Sequence, residues 1–269
     1  MWLDSHCHLT AEAFDADREA VLARAEQAGV EAFVAIGSGY GVANNARAAE
    51  LAAADARVFA TVGVHPHEAK EWGPETPALL ARWLDRPRVV AIGECGLDYH
   101  YMHSERAAQR EVFAAQVALA RARQLPVSIH VRGQEQGAFE ELLDIWRAEG
   151  RGELEGVLHC YTGTLDFARR ALDHGLWVSF SGILTFKQDR GLRGVAAALP
   201  LERLLVETDA PLLAPEGLRG RRNEPAWVDR VGQTLANVQG REPEDVAAIT
   251  TRNARRLFRL PQPASPPRS

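Results

Sequence analysis

Long apolar runs, a basic excess and an abundance of cysteine are all missing from this 269-residue sequence. No stretch approaches 18 uninterrupted apolar residues, so no membrane-spanning helix is expected. The first residues lack a basic region followed by an apolar run, so no signal peptide is expected. The three cysteines are few and odd in number, which argues against a disulfide framework and favours the reducing cytoplasm as the location.

Positive charge is not in excess. Lysine and arginine number 31 against 36 aspartate and glutamate residues, for a formal net charge of −5. The field of the whole protein therefore does not favour polyanions, and nucleic-acid binding would need a local basic patch or bound metal ions. The apolar share of 46% is ordinary for a globular protein with a large core.

The chain contains a regular alternation of short apolar runs and longer helical segments. The runs that predict strands are 2–8, 32–36, 58–64, 89–93, 127–131, 156–160, 177–180 and 204–207. The segments with helical spacing are 15–28, 43–54, 77–84, 104–123, 137–148, 165–174, 191–198, 226–238 and 243–258. Most of the strands are rich in Val, Ile, Leu or Phe, which is typical of parallel strands buried on both faces.

Eight strands with intervening helices predict a (β/α)₈ TIM barrel, formed as a single α/β domain by residues 1–260. The alternative is a doubly wound open sheet, but no G-x-G-x-x-G follows the first strand. Residues 261–269 hold four prolines and two serines, and we expect a disordered C-terminal tail there.

Histidines and carboxylates recur where the predicted strands end. In a barrel the active-site residues lie at these ends and in the loops that follow. The residues at such positions are His6, His8, His65, His67, Glu94, His130, His159 and Asp209. We interpret six of them as ligands of a metal centre, namely His6, His8, Glu94, His130, His159 and Asp209.

The segment His6-Cys7-His8 illustrates the geometry. Side chains at i and i+2 of a strand share a face, so both imidazoles can point at one ion, and Asp4 shares their parity. The alternative is a pair of hydrogen-bonded polar residues at a strand end. By the same parity, Cys7 points outward, away from the ligands, and is expected to be a small packing group. Cys95 and Cys160, each next to a proposed ligand, are expected to do the same.

The two carboxylates have different expected roles. Glu94 is flanked by glycines that let the backbone approach closely, and it can bridge two ions; a buried salt bridge is the alternative. Asp209, on the last strand, can bind metal and take a proton from the attacking water as general base. Glu207 has the same parity and is expected to support the site from inside the barrel.

Eight short motifs in order, from Asp4 to about Phe258, resemble the TatD family of metal-dependent deoxyribonucleases. They are Asp4-Ser5-His6-Cys7-His8-Leu9, Gly63-Val64-His65-Pro66-His67, Gly93-Glu94-Cys95-Gly96-Leu97-Asp98-Tyr99, Pro126-Val127-Ser128-Ile129-His130, His159-Cys160-Tyr161-Thr162-Gly163, Glu207-Thr208-Asp209-Ala210-Pro211, Arg222-Asn223-Glu224-Pro225 and Thr251-Arg252-Asn253-Ala254. The resemblance implies a TIM barrel of the amidohydrolase type that hydrolyses DNA phosphodiester bonds, often from single-stranded 3′ ends, with divalent metal. It also makes a role in DNA repair an expectation, with a monomer as the expected state.

The resemblance implies a two-metal site. One ion would be held by His6, His8, Glu94 and Asp209, and the other by Glu94, His130 and His159. The catalytic residues would then be Asp209, Glu94 and His65, with His65 contacting the phosphate or donating a proton; a structural histidine is equally expected there. Four imidazoles favour zinc, nickel, iron or manganese over magnesium, whereas the activity of the family is associated with magnesium or manganese.

Substrate contacts are expected near the mouth of the barrel. Cationic and polar candidates for binding the DNA backbone are Arg132, Lys187, Arg221, Arg222 and Asn223. Tyr161, with Tyr99 and Phe186, is a candidate stacking face for bases. Three alternatives use the same fold: an amidohydrolase acting on a small molecule, an esterase acting on aminoacylated RNA, and a binding protein without activity. Loss of activity on removing Lys187 or Arg222 would favour the DNA enzyme.

Overall fold

The computed structural model describes residues 1–189 and 191–261. Its strands are β1 (Trp2–Cys7), β2 (Val30–Ile36), β3 (Val58–Val62), β4 (Val89–Asp98), β5 (Val127–Arg132), β6 (Gly156–Leu158), β7 (Leu176–Phe180) and β8 (Leu204–Val206). Its α-helices are α1 (Arg18–Gln27), α2 (Asn44–Ala54), α3 (Thr76–Leu84), α4 (Arg106–Arg123), α5 (Ala138–Gly150), α6 (Leu165–Asp173), α7 (Leu192–Ala198), α8 (Val228–Gln239) and α9 (Pro243–Leu257). Short 3₁₀ turns occupy several of the loops.

The eight strands form one parallel sheet in chain order, β1 through β8. The segment after β8 lies against β1: the Asp209 amide donates to the His6 carbonyl at 2.9 Å, and the His8 amide donates to the Ala210 carbonyl at 2.7 Å. These bonds bring the first and last strands together. The predicted (β/α)₈ barrel is therefore confirmed.

Strand lengths differ from the prediction at the end that carries the site. β4 runs five residues beyond its predicted end at Gly93, because its glycines let it lie close against β5. Gly96 has a φ of +144°, and a Cβ there would lie 1.9 Å from the His130 carbonyl oxygen. β6 ends two residues earlier than predicted, so His159 lies in the loop that follows it; β8 ends one residue earlier than predicted, and Asp209 lies in the loop after it.

Two apolar layers hold the barrel. The layer inside the barrel includes Leu3 of β1, Trp177 of β7 and Leu205 of β8. These side chains pack against Leu257 and Phe258 at the end of α9, which covers the end of the barrel away from the strand C-termini. A larger layer lies between the strands and the surrounding helices, and it includes Cys7 and Cys95, both fully buried. Their expected role as packing groups agrees with this location.

Trp2 of β1 packs closely against α8 at Gly232. A Cβ at Gly232 would lie 2.1 Å from the indole ring, and Trp2 is 8% exposed, so the ring has little room to move away. We expect Gly232→Ala to destabilise the protein by about 1–3 kcal/mol, measured as a lower urea midpoint, because overpacking forces a buried side chain to shift. Gly194→Ala in α7 is the control: a Cβ there meets nothing within 4 Å among the residues that the structure describes, so helix propensity should raise stability by up to about 1 kcal/mol. Equal stability of the Gly232 variant and the wild type would contradict this account.

The sequence also led us to expect no membrane-spanning helix and a disordered C-terminal tail. Over residues 1–189 and 191–261, none of the helices is long and apolar enough to cross a membrane. The predicted disordered tail, residues 261–269, lies outside the described residues from 262 onward. The division of the chain at residue 260 stays a prediction.

Candidate metal centre

The structure brings the six predicted ligand side chains together at the C-terminal ends of the barrel strands. His6, Glu94 and His130 lie in β1, β4 and β5, His8 directly follows β1, and His159 and Asp209 follow β6 and β8. They are buried, with exposures between 0% for His6 and 7% for Asp209, except for the His130 side chain, which is 17% exposed. Groups from five different strands therefore meet in one enclosed place.

Glu94 stands at the middle of this cluster. Its Oε1 lies 2.6 Å from His159 Nε2 and 2.9 Å from His130 Nδ1. Its Oε2 faces the other way, 3.5 Å from His6 Nε2 and 3.8 Å from His8 Nε2. The two oxygens of one carboxylate thus face two different sets of imidazoles, which is the arrangement expected of a bridging ligand.

Asp209 completes the group on the β1 side. Its Oδ1 lies 3.3 Å from His8 Nε2 and 3.6 Å from His6 Nε2. The rings of His6 and His8 have centroids 5.2 Å apart, as the shared parity of residues i and i+2 requires. His6 also stacks on the ring of His159 at a centroid distance of 3.8 Å, which joins the two halves of the cluster.

The arrangement fits a divalent cation. Three triads, His6–His8–Asp209, His6–Glu94–His159 and His65–Glu94–His130, each have ligand atoms within 4.8 Å of one another. Within the described part of the chain, His6 Nε2 is buried without a hydrogen-bond partner, although it faces two carboxylates. A buried lone pair without a partner is costly, and a shared cation would satisfy it together with both carboxylates. Imidazole and carboxylate are ligands that transition-metal ions accept.

The electrostatics of the buried groups also favour a cation. Burial by itself would raise the pKa of Glu94, but the charge of His159 and hydrogen bonds from His130 and His159 hold that pKa well below its usual value. Burial likewise disfavours the charged form of His159, yet Glu94 and Glu207 raise its pKa well above the usual value. The Glu94 carboxylate therefore stays ionised inside the barrel and attracts positive charge.

In His6, His130 and His159 the nitrogen that faces away from Glu94 has a partner of its own, whereas His8 Nδ1 has none among the described residues. His159 Nδ1 lies 3.3 Å from Glu207 Oε1, which also accepts the Cys160 amide at 2.7 Å. Such partners fix the tautomer and orientation of metal-binding histidines. Asp4 instead accepts from the amide and hydroxyl of Thr208 and ties β1 to the segment after β8, so it acts through the backbone.

Asp98 is a member of the site that the sequence did not predict. Its carboxylate is fully buried, and Oδ2 lies 2.8 Å from His67 Nε2 and 3.1 Å from His130 Nε2. It therefore holds the far side of His130 while Glu94 faces the near side. The signal was present: positions i and i+4 of a strand share a face, so Glu94 and Asp98 align once β4 is known to continue past Gly93.

His65 lies at the edge of the cluster as a neutral imidazole. Its Nδ1 accepts the His67 amide at 3.1 Å, which leaves the proton on Nε2, 3.4 Å from Glu94 Oε1. Burial lowers the pKa of His65 to about 4. The ring is thus placed to donate a hydrogen bond into the site rather than to bind metal through Nε2.

Three of the predicted cationic contacts are exposed. Arg132, at the end of β5, has its guanidinium 4.6 Å from the centroid of the Tyr101 ring. Lys187 and Arg221 are exposed in the loops after β7 and β8. All three positions follow strands that supply or adjoin the cluster, so a polyanion at the mouth could reach them.

Three other predicted substrate contacts, Tyr161, Asn223 and Arg222, are buried or already paired within the protein. Tyr161 is 1% exposed and its hydroxyl donates to the Thr164 carbonyl, so it offers no stacking face, and Tyr99 is 3% exposed. Asn223 is fully buried and its amide donates to the carbonyls of Thr208 and Leu212, which holds the loop that carries Asp209. The remaining one is Arg222, whose guanidinium is paired with Asp17 at 2.7 Å and with Glu224 at 3.1 Å.

A cluster able to bind metal at the C-terminal mouth of a (β/α)₈ barrel defines the class of metal-dependent hydrolases. The family model described as TatD related DNase matches residues 3–259, and the chain belongs to the TatD family.

Similar sequences and a similar solved structure agree with this assignment. The chain is 38% identical to a 3′-5′ ssDNA/RNA exonuclease TatD of Erwinia tasmaniensis, over 96% of this chain and 99% of the relative. It is 39% identical to an uncharacterized metal-dependent hydrolase, YabD of Bacillus subtilis, over 97% and 100%. The crystal structure of YjjV, a TatD homolog from Escherichia coli, superposes with a TM-score of 0.88 at 30% identity, covering 97% of this chain and 98% of that one.

Proposed function

We propose that the protein is a divalent-metal-dependent deoxyribonuclease that removes nucleotides from single-stranded or frayed 3′ ends of DNA. The position of Glu94 carries the proposal, because its two oxygens face separate sets of histidines. Family membership and relatives named 3′-5′ ssDNA/RNA exonucleases support the same substrate class. The small-molecule and aminoacyl-RNA alternatives have no comparable support.

The proposed ligands divide into two sets that share Glu94. His6, His8 and Asp209 would hold one ion with Glu94, and His130 and His159 would hold the second. Two divalent ions and two carboxylates leave about two positive charges, which suits a phosphodiester. When bound, the ions would polarise the phosphate and lower the pKa of a nearby water.

The chain's own groups have the following proposed roles. Asp209 orients the attacking water and accepts its proton through a carboxylate oxygen. His65, as a neutral imidazole with its hydrogen on Nε2, donates a hydrogen bond to a phosphate oxygen. Arg132, Lys187 and Arg221 contact the backbone of the strand outside the cluster.

The donor atoms support an expectation about which metals bind. With four imidazoles and two carboxylates, we expect zinc, nickel or iron to copurify, and added magnesium or manganese to support activity best. We further propose a cytoplasmic monomer. A role in DNA repair stays a prediction.

Digestion of end-labelled single-stranded DNA tests the function. With a 5′ label and added Mn²⁺ or Mg²⁺, the wild-type protein should give a ladder that shortens from the 3′ end, and an oligonucleotide with a blocked 3′ end should resist. Prior treatment with a chelator should abolish cleavage, and added metal should restore it. Equal cleavage with and without chelator would exclude the metal mechanism, and no cleavage of DNA under any metal would exclude the proposed substrate.

A further inference from the structure

The large apolar side chains that are exposed cluster at the metal end of the barrel. Among the described residues, the five most exposed large hydrophobic side chains are Met1, Tyr40, Tyr101, Met102 and Leu212. All except Met1 lie on loops that follow β2, β4 or β8, the same side as the cluster. Exposed apolar groups concentrated around a polar centre mark a surface that contacts a ligand.

Tyr40 is the one that touches the cluster directly. Its ring is 44% exposed and meets the His8 ring edge-on at a centroid distance of 5.3 Å. His8 Nε2 in turn lies 3.3 Å from Asp209 Oδ1. A group stacked on Tyr40 would therefore lie one residue away from the proposed site of hydrolysis.

The loop that carries Tyr40 is held in place. Gly39 and Gly41 both have positive φ, at +92° and +86°, which fits a tight turn that only glycine adopts freely. Their amides donate to the carboxylate of Glu68, which is 7% exposed, at 3.4 and 2.5 Å. Both amides that flank Tyr40 are thus fixed to one buried acceptor, so the tyrosine is positioned in advance.

A cavity of about 300 Å³ opens beside the same ring. Its walls include Thr10 and Ala11, two and three residues past His8, with Asn44 and Arg47 of α2 opposite. Asn44 donates to Thr10 Oγ1 at 2.9 Å and to the Gly37 carbonyl at 3.0 Å, so the two walls are tied together. The volume is at the small end for a ligand pocket and suits one flat ring system with its polar edge.

We propose that the cavity beside Tyr40 binds a nucleobase of the DNA strand next to the phosphodiester that is cut, with the Tyr40 ring as the stacking surface. The proposal rests on the proposed nuclease function and adds a base-binding site to it. Stacking on an aromatic ring accepts every base, since each base has a flat face. Hydrolysis would then keep little sequence preference while depending on the presence of a base.

The test compares two substrates with three forms of the protein. The substrates are a natural single-stranded oligonucleotide and one whose two terminal 3′ nucleotides are abasic; the proteins are wild type, Tyr40→Ala and Tyr40→Phe. On the natural strand, Tyr40→Ala should lower kcat/KM about tenfold, mainly through KM, as expected for the loss of one base–aromatic stack. On the abasic strand, it should match the wild type within about twofold, and Tyr40→Phe should match the wild type on both.

A binding measurement gives a second readout. In the Asp209→Asn background, 2-aminopurine at the 3′ end should lose fluorescence on binding, and Tyr40→Ala should abolish that loss. Metal content and melting temperature should not change in Tyr40→Ala.

The outcomes separate the two proposals. If Tyr40→Ala is slowed equally on both substrates, the ring supports His8 rather than a base, and the proposal is overturned. If Tyr40→Ala cuts the natural strand as well as the wild type does, the base site is overturned while the nuclease function stands. If the wild type cuts neither strand with any metal, the nuclease function fails and the base site fails with it.

Discussion

Replacing Asp209 by asparagine is expected to lower kcat for DNA hydrolysis at least a hundredfold. A positioned general base usually contributes about 10²–10⁴-fold, and the amide of asparagine cannot accept the proton of the attacking water. The variant also lacks the charge that lies 3.3 Å from His8 Nε2 and 3.6 Å from His6 Nε2. We therefore expect weaker binding of the ion on that side and retention of the one between Glu94, His130 and His159.

The substitution is well suited to the local backbone. Asp209 has a φ of +57°, in the left-handed region, where asparagine and aspartate are the most tolerated residues other than glycine. Its amide donates to the His6 carbonyl, and that bond does not involve the side chain. The change should therefore remove charge without shifting the loop.

Single-turnover and steady-state cleavage of a labelled strand, with metal analysis of the same sample, would measure the effect. Asp85→Asn is the matched control, because Asp85 directly follows α3 at the opposite end of the barrel and pairs there with Arg123. The control should cut at the wild-type rate. If Asp209→Asn cuts within a few fold of the wild type at the same metal content, Asp209 is not the base.

Parity along single strands let the sequence predict much of the cluster. The rule that i and i+2 share a face placed His6 and His8 together, and the rule that barrel sites lie at strand ends selected the other four groups. Both rules depend only on backbone geometry. The structure brings the same six side chains together.

The sequence did not predict features that depend on contacts between neighbouring strands. Asp98 was missed because β4 was expected to end at Gly93, and glycine is a common end signal for strands. In the structure, Gly93 and Gly96 instead allow β4 to continue closely beside β5. The length of a strand is decided here by its neighbour, which a single sequence does not display.

The sequence also did not predict which aromatic side chains are exposed. Tyr161 follows His159 within a motif and was expected to face a base, but its ring packs near Phe139 at 6.2 Å between centroids. Tyr40 has no motif around it beyond two glycines, yet it stands exposed beside His8. Whether a loop side chain turns inward depends on the helices packed behind the loop, which a single sequence does not reveal.

Replacing Glu94 by glutamine is expected to abolish two-metal binding and to lower activity more than about a hundredfold, above the 10–100-fold typical for loss of an outer partner of a ligand. Glutamine keeps the length of the side chain but offers one oxygen in place of two. Since Oε1 faces His130 and His159 while Oε2 faces His6 and His8, only one set can keep its shared acceptor. The amide nitrogen would face imidazole nitrogens or a cation on the other side, and it cannot bind metal.

Metal analysis after dialysis against limiting Mn²⁺ or Zn²⁺ would count the ions in the wild type and the variant. Glu31→Gln is the control, since Glu31 pairs with Arg255 away from the cluster and is also largely shielded from solvent, with a side chain 13% exposed against 3% for Glu94. That variant should keep the full metal content and activity, because only the pairing near α9 changes. If Glu94→Gln retained two ions per chain, the carboxylate would not be the bridge, and the division of the histidines into two sets around it would have to be abandoned.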